Sequence, residues 1–265
     1  MSAPTPSTRL PHLPPTFPYP PSAFSRHDPT PDAAFYAHPR IGVQHLSPQC
    51  ITLLTSYYTS VLPPPSHAQP PRVLDLCSSW TSHLPPSFSP PQAHITGLGL
   101  SGPELEANPL LTERVVHDLN ASPSLPPSVG SDPGGVGFGF DAVLCSVSVD
   151  YLSRPLEVFR ELARVTRHGA KAHMSFSNRC FPTKVIRRWL EVGEEERCEL
   201  VACYFHFAGT GTGTGTGIGE GEGRACEPGE LWEDVQIVTV LEPSSAGDPL
   251  WVVRGTRTAN AVPGA

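Results

Sequence analysis

The sequence predicts a parallel α/β fold, in which a buried sheet carries helices on both faces. Short apolar runs bounded by proline or small polar residues recur along the chain, and such runs are typical of strands buried on both sides. Stretches with helical spacing of apolar residues separate these runs, which is the order of elements that builds a parallel sheet. The 265 residues are 38% hydrophobic and 16% charged, a composition that supports one sizeable core.

The first half of the chain predicts one long helix and three strands. In residues 45–61, Ile51, Leu54, Tyr58 and Val61 recur three or four positions apart, as on one face of a helix that ends at three prolines. The predicted strands lie at 72–76, 94–98 and 114–117, with a helix-like stretch at 104–111.

The second half predicts a clear amphipathic helix between two strands, and further strands near the end. Residues 154–166 place their apolar side chains along one stripe, with Pro155 in the first turn. The flanking strands are predicted at 140–145 and 170–176. β-Branched and aromatic residues predict late strands, expected to include an antiparallel hairpin, at 199–207, 235–241 and 250–253.

Composition divides the chain into an arm, one domain and a short tail. Residues 1–33 are rich in proline without apolar periodicity, which predicts a disordered arm that offers a site for a protein partner. Residues 34–258 form the predicted domain, with flexible insertions at 121–139 and 208–229, and residues 259–265 form the tail. The glycine-rich repeat of the second insertion opens no predicted helix, so it does not predict a phosphate-binding loop.

Charge and cysteine usage exclude several function classes. The formal net charge is −7 and basic runs are short, which argues against nucleic acid as a partner. No apolar run approaches the roughly 18 residues of a membrane span, and the N-terminus shows no targeting pattern, so a soluble cytoplasmic protein is expected, with an organelle as the alternative. The seven cysteines form no CxxC pair, which predicts reduced thiols and no metal site.

Several short motifs resemble one protein family in both order and spacing. The strings VLDLCSSW, ITGLGLS, VVHDLN and FDAVLCSVSVDYL resemble the core motifs of class I S-adenosylmethionine-dependent methyltransferases. A likeness to the type 11-like branch rests on Phe35-Tyr36 with Pro39-Arg40, on Ser78-Ser79-Trp80 with Ser82-His83-Leu84-Pro85, and on Ser175-Phe176-Ser177-Asn178-Arg179 with Phe181 and Thr183-Lys184. The resemblance implies a Rossmann-like sheet of seven strands and methyl transfer from S-adenosyl-L-methionine.

The same resemblance implies where the cofactor would lie. The loop after the first strand would approach its amino acid end, the end of the third strand its adenine, and the end of the fourth strand the opening toward the methyl acceptor. The residues implied in this way are Asp75, Cys77, Ser78, Ser79, Gly97, Gly99, Leu100, Asp118, Leu119, Cys145, Ser146 and Val147.

Two positions depart from the family pattern. The first loop reads Cys77-Ser78-Ser79-Trp80 where the family usually has glycines that allow a close backbone approach. Gly99 stands where the family usually has an acid that binds the ribose hydroxyls, and Glu104 is the nearest carboxylate that could replace it. Losing such hydrogen bonds to a charged group costs about 1.5 to 3 kcal/mol.

The acceptor side is less defined by the sequence. In-line methyl transfer needs an aligned nucleophile about 3 Å away and a site closed to water, whereas a general base is optional. Polar residues after strands nominate His83, Tyr151, Asn178 and Arg179, each of which has capping, packing or backbone bonding as its alternative role. The Asn178-Arg179 pair suits a carboxylate or carbonyl. A small-molecule acceptor is expected, and no catalytic residue is assigned.

Other functions would make different demands on the same residues. A catalytically inactive methyltransferase-like fold, serving as a cofactor-binding or protein-interaction module, would explain the missing ribose acid. A dehydrogenase would need a glycine fingerprint after the first strand, and a nucleophile-elbow hydrolase would need GxSxG. The sequence meets neither requirement.

Overall fold

The protein forms a mixed α/β fold around one sheet. The computed structural model describes residues 6–131, 139–211, 224–244 and 247–263. Within these ranges the strands are β1 (Ser7–Arg9), β2 (Arg72–Leu76), β3 (His94–Gly99), β4 (Glu113–Val116), β5 (Phe140–Ser146), β6 (Thr166–Phe176), β7 (Trp232–Leu241) and β8 (Leu250–Arg257). The helices are α1 (Asp32–Phe35), α2 (Pro48–Val61), α3 (Gly102–Ala107), α4 (Pro155–Val165), α5 (Arg187–Glu191) and α6 (Glu194–His206).

The sheet has the doubly wound order of a Rossmann-like fold. The strands run β1-β7-β8-β6-β5-β2-β3-β4, and β2 to β6 pair in parallel. From β2, the chain first builds outward through β3 and β4 and then returns to the other side with β5. This reversal of strand order creates a crevice at the carboxyl ends of β2 and β5, where such sheets bind ligands. The predicted fold class is confirmed.

The last strands close the other side of the sheet. β8 pairs antiparallel with both β6 and β7, as expected for a late hairpin. The remaining strand of the described sheet, β1, pairs antiparallel with β7 at the edge. It comes from the segment 1–33, for which composition predicts a disordered arm, and it extends the seven strands that the resemblance implies.

Helices cover both faces of the sheet, as predicted. Leu74 and Leu76 of β2 pack in the core that includes α4, α5 and α6, whereas Val73 packs in the core that includes α2. This alternation is what a strand buried on both faces requires. The α2 helix begins at Pro48 after Ser47, whose hydroxyl accepts a hydrogen bond from the amide of Cys50.

One predicted strand is wrong. Residues 199–206 belong to helix α6, and Phe207 is its C-cap residue. Glu194, Glu195 and Glu196 place acidic charge at the N-terminus of this helix, which favours it. Leu200 to Phe205 are all buried, because the sheet covers one side of α6 and the N-terminal segment covers another through Phe17, which contacts Phe207. The second half of α6 is buried all round and shows no amphipathic period, so its run of aromatic and apolar residues resembles a strand.

The N-terminal segment lies against the domain from residue 6 onward. Phe17 and Phe24 pack on the aromatic side chains of α6, and the backbone amide of Arg187 donates to the carbonyl of Ser25. Parts of both predicted insertions, 132–138 and 212–223, lie outside the described residues. In the described part of the chain, no helix combines the length and apolarity needed to cross a membrane.

Candidate functional site

A cavity of ≈ 590 Å³ opens at the carboxyl ends of β2, β3, β4 and β5. The loops that follow these strands form one side, which we call the sheet side. Residues 32–45 and 178–182 contribute the opposite side, which we call the wall. The cavity therefore coincides with the point where the strand order reverses.

A buried carboxylate organises the loop after β2. Asp75 is 2% exposed and accepts hydrogen bonds from the hydroxyls of Ser78 at 2.6 Å and Ser82 at 2.7 Å. Burial raises the pKa of Asp75 to about 6, although both hydroxyls favour its ionised form. The amide of Asn108 donates to Ser82 Oγ and to the carbonyl of Ser79, both at 2.9 Å. These bonds hold the loop that faces the cavity.

Three residues at the edge of the cavity adopt left-handed backbone conformations without being glycine. The φ angles are 54° at Cys77, 53° at His83 and 47° at Val147. Each such residue costs about 1 to 3 kcal/mol, and conformations of this kind concentrate at functional sites. Cys77 thus adopts a backbone conformation that glycine would usually supply in this loop.

The loop after β2 approaches β3 closely at Gly99. The amide of Ser78 donates to the carbonyl of Leu98 at 2.8 Å. A Cβ atom added to Gly99 would lie 2.1 Å from the carbonyl oxygen of Ser78, so only glycine fits here. This close contact explains why the strand end carries glycine in place of an acid.

Glu104 supplies a carboxylate to the same part of the cavity. It lies in the first turn of α3, is 6% exposed and lines the cavity. Its Oε1 accepts from the backbone amide of Arg40 at 2.7 Å. In the described ranges, Oε2 of Glu104 makes no hydrogen bond within the protein, so one oxygen is available to a ligand.

A turn after β4 forms the next part of the sheet side. Asp118 Oδ1 accepts from the backbone amides of Asn120 at 2.9 Å and Ala121 at 3.1 Å. The Asn120 side chain donates to Asp32 Oδ2 at 2.8 Å and to the carbonyl of Tyr151 at 2.9 Å. Asn120 therefore connects the sheet side to the wall.

The wall presents a cation held among aromatic rings. The guanidinium of Arg40 lies 4.8 Å from the ring centroid of Phe35, 5.0 Å from that of Tyr36 and 5.4 Å from that of Phe181. Its Nη2 donates to the carbonyl of Phe35, while its buried Nη1 has no hydrogen-bond partner among the described residues. Arg40 also makes no ion pair with any residue that the structure describes, so it is a cation suited to an anionic ligand.

Buried ion pairs fix the wall to the domain. Asp32, 4% exposed, pairs with Arg26 at 2.6 Å and lies 3.6 Å from Lys184 Nζ. Lys184 is 1% exposed and donates to the carbonyl of Thr30 at 2.7 Å. Its ammonium also pairs with Asp28 at 3.2 Å. Such a cluster holds its geometry strongly, because breaking it leaves a buried charge unpaired.

The four residues nominated for the acceptor side all line the cavity. The Tyr151 hydroxyl already accepts from the amide of Phe181 at 2.7 Å, and Arg179 pairs with Asp248 at 2.8 Å. Burial lowers the pKa of His83 to about 4, so its ring is neutral at pH 7. Asn178 is exposed, and its side-chain amide makes no hydrogen bond within the described chain. It is the nominated group most available to a ligand.

Most residues that the resemblance implies for the cofactor line the cavity, with two exceptions. Gly97 packs instead against the side chain of Leu111, and Cys145 is fully buried in β5, behind the sheet side of the cavity. Those that line it are Asp75, Cys77, Ser78, Ser79, Gly99, Leu100, Asp118, Leu119, Ser146 and Val147. Sequence reasoning missed Asp32, Tyr36, Arg40 and Asn120, although Tyr36 and Arg40 belong to a motif that carried the resemblance.

No protein-family model matches the chain, and no curated protein matches it either. Among solved structures, a TehB-like SAM-dependent methyltransferase from Corynebacterium glutamicum is similar at 13% identity and TM-score 0.41, over 78% of this chain and 86% of that one. A putative methyltransferase from Haloferax volcanii, solved in complex with the Trm112 activator, has 14% identity and TM-score 0.48, over 80% and 91%. Phosphoethanolamine N-methyltransferase 2 from Haemonchus contortus, solved with S-adenosyl-L-methionine, has 10% identity and TM-score 0.45, over 78% and 52%.

Proposed function

We propose that the protein binds S-adenosyl-L-methionine and transfers its methyl group to a small molecule in this cavity. The observation that carries the proposal is the position of the cavity at the carboxyl ends of the strands where the order reverses, because doubly wound sheets bind nucleotide-like ligands there. Its volume of ≈ 590 Å³ lies within the roughly 300 to 1,000 Å³ of small-molecule sites.

Glu104 is the residue that would hold the ribose. It is the replacement for the acid that the Gly99–Ser78 contact excludes from the end of β3. Its Oε1 is engaged by the amide of Arg40, whereas Oε2 is available to the two ribose hydroxyls. The adenine would lie toward Asp118 and Leu119, at the end of β4, as the resemblance implies.

Arg40 would pair with the carboxylate of the cofactor. Its side chain is restrained by three aromatic rings and one backbone hydrogen bond, so it would need little reorganisation to bind. The unpartnered Nη1 supports this role, because a buried guanidinium N–H without an acceptor is unfavourable until an anion arrives.

The remaining residues would position the acceptor and exclude water. S-adenosyl-L-methionine, when bound, would supply an electrophilic methyl group on a positively charged sulfur, and that sulfur would leave as the neutral thioether of S-adenosylhomocysteine when the methyl carbon bonds to the acceptor. Tyr36 and Phe181 line the wall of the cavity with aromatic rings, and a closed, dry site would favour methyl transfer. Asn178 has a free amide to orient a carbonyl or carboxylate of the acceptor. Neutral His83 offers an acceptor nitrogen if the nucleophile must lose a proton.

A pair of glutamates in one helix tests the proposal. We expect Glu104→Gln to bind S-adenosylhomocysteine about tenfold to hundredfold more weakly than the wild type, because it loses charge-assisted hydrogen bonds worth about 1.5 to 3 kcal/mol. Gln at this position keeps an oxygen for the amide of Arg40. Glu106→Gln is the matched control, because Glu106 lies two residues away in α3 with its side chain 76% exposed. Isothermal titration calorimetry measures both.

The outcomes separate the two function classes. Equal affinity of the two variants would overturn the assignment of Glu104 to the ribose. Absence of binding by the wild type at millimolar ligand would overturn the proposed function. It would favour the alternative of a methyltransferase-like fold that serves as a protein-interaction module. One observation favours that alternative: Tyr151 and Arg179 already bind Phe181 and Asp248, so they are less available to a methyl acceptor.

A further inference from the structure

Two cysteines lie next to each other at the sheet side of the cavity, one lining it and one buried behind it. Cys77 follows the end of β2, lines the cavity and is half-buried, whereas Cys145 lies in β5 and is fully buried. The strands β2 and β5 are parallel neighbours, and Leu76 is the register partner of Cys145. Cys77 is therefore one position beyond the residue that faces Cys145 across the sheet.

Sheet geometry places the pair at the separation of a disulfide. Leu76 and Cys145 face each other across strands about 4.8 Å apart, and the Cα of Cys77 lies about 3.8 Å along the chain from that of Leu76, so the Cα atoms of the two cysteines lie on the order of 6 Å apart. Disulfide-bonded cysteines most often have Cα atoms about 5.5 to 6 Å apart. The thiols also interact: hydrogen bonding with Cys77, followed by burial, raises the pKa of the Cys145 thiol. The pair needs little backbone movement to join.

Other cysteines have different surroundings. The Cys50 thiol donates to the carbonyl of Asp248 at 3.3 Å. Cys180 also lines the cavity and is half-buried, but the charged groups that act on it are Asp150 and Arg197. Cys180 thus matches Cys77 in access from the cavity and differs from it in lacking the contact with Cys145.

We propose that Cys77 and Cys145 form a reversible disulfide, so that the sheet side of the cavity carries a redox modification site. With hydrogen peroxide as the oxidant, the Cys77 sulfur attacks a peroxide oxygen, the O–O bond breaks, and Cys77 sulfenic acid and water form. The Cys145 thiol then attacks that sulfur, the S–O bond breaks, and the S–S bond and a second water form. Two thiols and one peroxide yield one disulfide and two waters.

A ligand in the cavity would oppose this oxidation. Cys77 is the thiol of the pair that reaches the cavity, so a molecule occupying the sheet side covers it. At a ligand concentration about ten times its Kd, about a tenth of the protein is unliganded, and we expect oxidation to slow about tenfold. This step rests on the proposed function, whereas disulfide formation itself does not.

Peptide mapping of the full chain tests the disulfide directly. Trypsin cleaves after Arg72 and Arg114, and Arg114 separates the two cysteines in the sequence. After treatment with limiting peroxide, the protein should lose about 2 Da. The peptides 73–114 and 115–160 should then remain joined until a reductant is added. Each of these peptides contains one cysteine.

Variants and ligand supply the controls. Cys77→Ser and Cys145→Ser should lose the joined peptides, and Cys180→Ser should keep them. A Cys77–Cys180 link, or a stable sulfinic acid on Cys77 without the 2 Da loss, would overturn the proposal. Because mapping of the wild type needs no variant, misfolding of Cys145→Ser does not affect the result. A joined pair that S-adenosylhomocysteine fails to protect would leave the disulfide established and count against cofactor binding alone.

Discussion

The two sides of the cavity are held by interactions of different range. On the sheet side, Asp75 binds Ser78 and Ser82, which lie three and seven residues along the chain. In the cluster that fixes the wall to the domain, Lys184 reaches Thr30 across 154 residues. Asn120 joins the two sides by reaching Asp32 across 88 residues. The central carboxylate of the sheet side is thus bound by residues close to it in sequence, whereas the wall also needs partners that lie 88 or more residues away.

This difference determines how each side responds to change. The sheet side inherits its position from the parallel strands, so its loops form wherever the sheet forms. The wall has few regular elements and depends on buried ion pairs and aromatic contacts. We therefore expect the wall to lose its order when one charge is removed, and the sheet side to respond mainly to backbone crowding and to pH.

The largest effect is expected from Asp32→Ala. Removing this carboxylate leaves Arg26 without its partner in a buried cluster, and such changes cost about 3 to 5 kcal/mol in the free energy of unfolding. Denaturant unfolding measures the loss. Glu157→Ala is the control, because Glu157 pairs with Arg154 at the surface, where both side chains are 43% exposed. An exposed pair contributes about 1 kcal/mol or less. Similar losses in both variants would mean that the cluster does not stabilise the wall.

A smaller effect is expected where the sheet side is most crowded. Gly99→Ala must displace the carbonyl of Ser78, since the added Cβ would lie 2.1 Å from its oxygen. Overpacking of this kind costs about 1 to 3 kcal/mol. We expect a lower Tm together with weaker binding of S-adenosylhomocysteine. Gly102→Ala is the matched control, because its Cβ would meet Val116 at an ordinary 3.6 Å. Equal Tm values for the two variants would contradict the close approach.

The same contrast explains what the sequence could predict. The strands β2 to β6 and the loop around Asp75 follow from local patterns of apolar and small residues, and the resemblance placed most of the sheet side. Two of the partners of Asp32, Lys184 and Asn120, lie far away in sequence, and a local pattern of residues does not predict a contact across such a distance. Helix α6 was missed for a related reason, because the N-terminal segment covers the face that would otherwise be polar.

The motif that contains Arg40 can be recognised in the sequence, but it does not predict what the Arg40 side chain contacts. The pair Pro39-Arg40 matches the family string before the first strand, but no local pattern predicts that three aromatic rings surround the guanidinium. One of those rings, Phe181, follows β6 at the other end of the predicted core. The role that we propose for Arg40 depends on the contact between these two segments at the wall.

The smallest effect is a pH dependence on the sheet side. Burial raises the pKa of Asp75 from 3.8 to about 6, so the folded protein takes up a proton there before the unfolded chain does. This raised pKa stabilises the fold fully below pH 3.8, and the stabilisation is lost as the pH rises through 6. Between pH 8 and pH 5, we expect the wild type to gain about 1 to 1.5 kcal/mol in unfolding free energy relative to Asp75→Asn.

Ser82→Ala sharpens the test: losing a donor to the ionised carboxylate should move the gain to higher pH. Parallel profiles of unfolding free energy against pH for the wild type and Asp75→Asn would show that this carboxyl does not titrate between pH 5 and pH 8. The hydrogen bonds from Ser78 and Ser82 would then hold the loop equally well throughout that range.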